Sequence, residues 1–206
     1  VSQVDKNVPV YTTVEEKLLP GGALHVVSLL EKQIEQMKPW KLGLCCFPVY
    51  PYVVDPKAKF FCNPEVFNAS KQGKMPTEKI RVYDADTGQF LFRLDKEDSR
   101  GMTKKERESF ERFLAFTKIA AKKSDNNVVV VSDYNKGFIS NYSLAKIYQF
   151  AREINAKIIA DPKKDMFFYV GADVITPNAE EFTLLNGDKF QSTHSSCFVA
   201  KKKGQE

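Results

Sequence analysis

No apolar run in these 206 residues approaches the roughly 18 that a membrane-spanning helix needs, so no membrane span is expected. Histidine is scarce, with only His25 and His194, and the 4 cysteines (Cys45, Cys46, Cys62 and Cys197) lack the spacing of a zinc site. No metal is therefore expected, and the cysteines read as buried, reduced thiols of an intracellular, reducing compartment. No Walker-type phosphate loop occurs, which excludes the commonest nucleotide-binding signature. The sequence shows no signal-peptide pattern and opens on Val1 without a methionine, and the missing methionine predicts a processed, trimmed or incomplete chain. With its mild basicity, that points to a mitochondrial or plastid protein. A strong charge excess is also lacking, since the net charge is only +5. The basic clusters at Lys118–Lys123 and Lys201–Lys203 read first as solvated faces and a tail, with nucleic acid or an acidic protein as the alternative partner.

What is present is concentrated between Val128 and Leu185. Three short runs rich in β-branched residues, Val128–Val131, Lys157–Ala160 and Ala172–Ile175, predict buried strands. Between the first two, Leu144, Ile147, Tyr148, Ala151 and Ile154 form one helical stripe within Ser140–Ile154. Strand, helix and strand make a βαβ unit of a parallel sheet. Each strand ends in polar residues: Ser132-Asp133-Tyr134, Asp161-Pro162-Lys163 and Thr176-Pro177-Asn178. Ligands of open parallel sheets sit beyond the carboxyl ends of the strands. The three ends therefore predict one edge for something phosphorylated or polyhydroxylated. Asp133 and Asp161 are equally suited to capping their loops, and Asn178 with Glu181 has the spacing of a capping box. Lys163 suits a phosphate as a point charge.

Elsewhere, Val8–Val14 predicts a strand, Gly21-Gly22 a tight turn and Ala23–Met37 a helix. Ile80–Asp84 and Phe90–Leu94 flank Asp86-Thr87-Gly88 as a hairpin. Thr103–Lys123 predicts a long structural helix opened by a Thr103/Glu106 capping box. Residues 38–76 are crowded with proline and aromatic residues and read as an irregular segment with a short strand at Leu42–Phe47.

The segments Ser132-Asp133-Tyr134-Asn135-Lys136-Gly137, Asp161-Pro162-Lys163 and Thr176-Pro177-Asn178-Ala179-Glu180-Glu181-Phe182 follow one another as in ribokinase-like (PfkB) sugar kinases. The chain most resembles the heptose 7-phosphate kinase domain of bacterial ADP-heptose synthesis enzymes. Pro20-Gly21-Gly22-Ala23, Lys79-Ile80-Arg81-Val82 and Arg93-Leu94-Asp95 are similar to further motifs of that family. The resemblance covers roughly Val8–Glu31 and Glu78–Leu185.

It implies a three-layer α/β sandwich with a mostly parallel central sheet. It also implies sugar or phosphate contacts from Gly21, Gly22, His25, Lys79, Arg81, Arg93, Asp133, Lys136, Asp161 and Lys163. Asn178 and Glu181 are implied to organise magnesium and phosphate. His25 stands where the family carries asparagine, and imidazole has a different donor–acceptor pattern. The family's Gly-Ala-Gly-Asp element, which supplies the catalytic base and anion hole, does not occur in the sequence.

Residues 1–206 thus read as a single ribokinase-like domain truncated at both ends, with 188–206 as a basic tail. The site residues are expected to be vestigial, with no catalytic residue and no cofactor. The expected role is a non-catalytic accessory subunit whose partners are the other subunits of a larger assembly. The alternatives are a partial sequence of an active sugar kinase using ATP and magnesium, or a sugar-phosphate-binding regulator.

Overall fold

The computed structural model describes residues 12–17, 19, 21–36, 45–46, 61–62, 77–163 and 166–186. Their elements run α1 (Gly22–Gln36), β1 (Cys45–Cys46), β2 (Phe61–Cys62), β3 (Glu78–Tyr83), β4 (Phe90–Lys96), α2 (Lys104–Ala121), β5 (Asn127–Ser132), α3 (Asn141–Glu153), β6 (Ala156–Asp161), β7 (Val174–Ile175) and α4 (Ala179–Asn186). A short 3-10 turn, Met166–Tyr169, lies between β6 and β7.

The centre is a parallel sheet in the order β5-β6-β7. The fold is a mixed α/β arrangement compatible with the ribokinase-like architecture. Register pairs Val129 with Ile158, Val131 with Ala160, and Ala160 with Ile175. Pairing alternates faces, so these residues share one face. That face is packed by Phe110 and Phe113 of α2 and by Leu144 and Ile147 of α3, in one buried cluster. Each such side chain contributes roughly 1.5–3 kcal/mol by leaving water.

The strands were expected to be buried. Instead Val128 and Val130, which alternate with the core residues, are 59% and 44% exposed. Four consecutive valines cannot show which face a helix covers; the stripes of α2 and α3 select one.

Helix starts follow local chemistry. The Thr103 side chain accepts the Glu106 N–H and the Glu106 carboxylate accepts the Thr103 N–H at 2.5 Å, so the capping box forms as spelled. Ser140 and Ser143 form an analogous reciprocal pair at α3, with Ser143 wholly buried. Asn155, in the left-handed region at φ 50°, turns the chain out of α3 into β6.

The β3–β4 hairpin is antiparallel and longer than the two predicted runs. Its turn is closed by Asp84, whose Oδ1 accepts the Thr87 N–H at 2.7 Å.

Three readings need correction. The third strand begins at Val174 rather than Ala172, because the Asp173 carboxylate turns back to accept the Ile158 N–H at 2.9 Å. Thr12–Val14 are not in a strand, and the rest of the Val8–Val14 prediction lies outside the described residues. Within 38–76, Cys45–Cys46 and Phe61–Cys62 pair as short parallel strands; the remainder of that segment, like the tail 188–206, lies outside the described residues. Among the described residues, no helix is long and apolar enough to cross a membrane.

Candidate functional site

Parallel pairing carries all three strand ends to one side of the sheet. Ser132 and Asp161 are register partners, and the Asp133 N–H donates to the Asp161 carbonyl at 3.1 Å. The Thr176 N–H donates to the Ala160 carbonyl at 2.9 Å, so Asn178 follows on the same edge. The predicted convergence of Asp133, Asp161, Lys163 and Asn178 is therefore present, and Glu181 joins them through its ion pair with Lys163.

Their partners define what each group can do. Asp133 is 2% exposed, and its carboxylate accepts the Tyr169 hydroxyl and, at 2.7 Å, the Asn135 N–H. Burial, and then the hydrogen bond to this carboxylate, push the Tyr169 phenol well above its usual range, so it remains a donor. Asn135 reaches its position with φ 53°. Gly137 follows at φ 79°, and a Cβ there would lie 2.2 Å from the Arg100 carbonyl oxygen, so only glycine fits this crossing. Asp133 thus organises its loop and pins the 3-10 turn between β6 and β7.

Asp161 is half-buried and has no side-chain hydrogen bond or ion pair among the described residues. Burial pushes its pKa up; Lys163 opposes this, while the Glu181 and Asp133 carboxylates reinforce it. Lys163 Nζ lies 2.5 Å from Glu181 Oε1, and this hydrogen bond raises the lysine's pKa. Asn178 and Glu181 make the reciprocal capping box: each backbone N–H donates to the other's side chain at 2.8 Å. Among the described residues, no group of three or more His, Cys, Asp or Glu is arranged to hold a metal ion.

The remaining predicted residues divide. Gly22, at φ 54°, brings the start of α1 against Tyr134, with 3.9 Å from a built Cβ to the ring; this puts the glycine turn beside the sheet edge. Gly21 and His25 are exposed there. Lys79, Arg81 and Arg93 share one face of the hairpin, Arg81 directly opposite Arg93. Arg93 is paired with Asp95 at 2.8 Å and Lys79 with Glu97 at 4.0 Å. Lys136, from the loop after β5, pairs with the same Glu97 and ties the hairpin base to the sheet edge. Sequence reasoning missed Tyr169 and Glu97. Tyr169 lies in the aromatic run Phe167-Phe168-Tyr169, which carries no sign that one hydroxyl is turned inward.

The geometry defines an α/β domain with a polar edge beyond its parallel strands, more acidic than basic. The chain is similar to proteins named Bifunctional protein HldE. It is 39% identical to that of Geobacter sulfurreducens over 77 residues, covering 37% of this chain and 16% of the relative. With that of Citrifermentans bemidjiense it shares 31% over 112 residues, covering 54% and 22%. With that of Pseudomonas aeruginosa it shares 46% over 61 residues, covering 29% and 12%. The matched stretches span less than a quarter of these relatives' own length. No protein-family model and no solved structure matches the chain. Part of the chain is thus related to HldE proteins.

Proposed function

We propose that this chain carries the ligand edge of a carbohydrate-kinase-related domain and acts as a non-catalytic accessory subunit of a larger protein assembly. On this reading the edge keeps a residual capacity for a phosphorylated or polyhydroxylated ligand, without phosphoryl transfer. The observation that carries it is the mutual engagement of the edge's own groups. Asp133 is held by Tyr169, Lys163 by Glu181, and Asn178 with Glu181 caps α4. Groups that satisfy one another in this way hold a loop framework together and leave little free charge for a transferring phosphoryl group. Exposed Val128, Val130, Phe116 and Ile119 support the second half of the reading, since apolar surface of this kind is commonly covered by partners.

The experiment is an assay of the purified chain with ATP, magnesium and heptose 7-phosphate or related sugars, paired with sedimentation of native extracts. The expected result is no turnover and co-sedimentation with other subunits. Turnover abolished by Asp161→Ala or Lys163→Ala would overturn the non-catalytic reading. A well-folded monomer recovered without partners would overturn the accessory role.

A second reading, part of an ATP- and magnesium-dependent sugar kinase, is favoured by the similarity to HldE proteins and by the intact Asp161-Pro162-Lys163 and Thr176-Pro177-Asn178 elements. Turnover by the purified chain would decide for this second reading, whereas its absence is expected of both; a Gly-Ala-Gly-Asp element in the full gene product would also decide for it.

A further inference from the structure

Two described lysines flank the strand ends, and both are ion-paired: Lys136 with Glu97 and Lys163 with Glu181. The Lys163 partner is the more constrained. Glu181 Oε2 accepts the Asn178 N–H at 2.8 Å, which leaves Oε1 aimed at the ammonium at 2.5 Å. The Glu181 side chain is only 15% exposed, against 36% for Lys163. A carboxylate already ordered by a helix cap loses little further freedom on pairing. Such a pair is therefore stronger than one between two mobile surface chains.

An anion arriving at this edge meets Asp161, whose carboxylate makes no side-chain hydrogen bond or ion pair among the described residues, and an ammonium that is already neutralised. We infer that the Lys163–Glu181 ion pair is an autoinhibitory contact. Glu181 occupies the position on Lys163 that a phosphate would take, and an anionic ligand seats at the edge only by displacing that carboxylate. This rests on the reading above that the edge accepts a phosphorylated ligand. The exchange replaces one charge-assisted hydrogen bond by another and requires no movement of the strands. Seating is thereby coupled to α4, because the side chain that must yield also caps that helix.

Glu181→Gln tests this selectively. The glutamine amide oxygen still accepts the Asn178 N–H, so the capping box persists, while the negative charge against Lys163 is removed. Binding of inorganic phosphate and of ribose 5-phosphate to the full chain is measured by calorimetry at fixed ionic strength, with circular dichroism confirming the fold. Glu181→Gln is expected to bind about five- to tenfold more tightly than the wild type. Adding Lys163→Gln should abolish that gain. Equal binding by wild type and Glu181→Gln, still dependent on Lys163, overturns the autoinhibition but leaves the ligand edge standing. A gain that survives loss of Lys163 also overturns it, by assigning the effect to net charge alone. If no protein binds either probe, the ligand edge itself is refuted, and the autoinhibitory contact with it.

Discussion

Removing one hydroxyl, by Tyr169→Phe, should loosen the polar edge more than any surface charge change. Tyr169 is fully buried, and its hydroxyl donates to Asp133, which is 2% exposed. Phenylalanine keeps the ring and its edge-to-face contact with Phe168, whose centroid lies 5.2 Å away. The packing loss is therefore small. What remains is a buried carboxylate deprived of one donor, retaining the Asn135 N–H. A hydrogen bond to a charged group contributes about 1.5–3 kcal/mol, and this bond's burial gives no reason to discount it. For a chain of this size that corresponds to a fall in Tm of about 3–12 °C. Urea unfolding followed by circular dichroism measures it, with the slope expected to stay unchanged. A double-mutant cycle with Asp133→Asn separates the pair from each residue alone. A loss below about 0.5 kcal/mol, or strictly additive losses in the cycle, would refute the claim that this bond pins the β6–β7 loop to β5.

Gly137→Ala should cost at least about 2 kcal/mol, since left-handed backbone and a Cβ 2.2 Å from the Arg100 carbonyl oxygen are penalised together; denaturant unfolding near wild-type stability would contradict the crossing. Asp161→Asn tests the burial-raised carboxyl. Because its folded pKa lies above the unfolded value of 3.8, protonation favours the folded state, and that stability is lost as pH rises through the folded value. The asparagine variant should therefore gain stability on the wild type as pH rises, and the gap should close below about pH 4. A pH-independent difference would show that Asp161 is not perturbed in the fold.

The sequence by itself determined the local structure. Apolar stripes and capping residues placed α2 and α3, turn residues placed the hairpin, and β-branched runs placed β5 and β6, each close to its observed bounds. The Thr103/Glu106 and Asn178/Glu181 boxes were legible because both partners lie three residues apart. That the strand ends converge was also readable, since parallel strands must end on the same side.

Tertiary structure decided which edge groups are engaged. Lys163 and Glu181 are 18 residues apart, and Tyr169 and Asp133 are 36 apart. Periodicity reports only neighbours along the chain, so neither pairing has a local signature. The same limit applies to the faces of β5: Val128, Val129, Val130 and Val131 are chemically identical. Only the packing of α2 and α3 on one side makes Val131 core and leaves Val128 and Val130 facing outward.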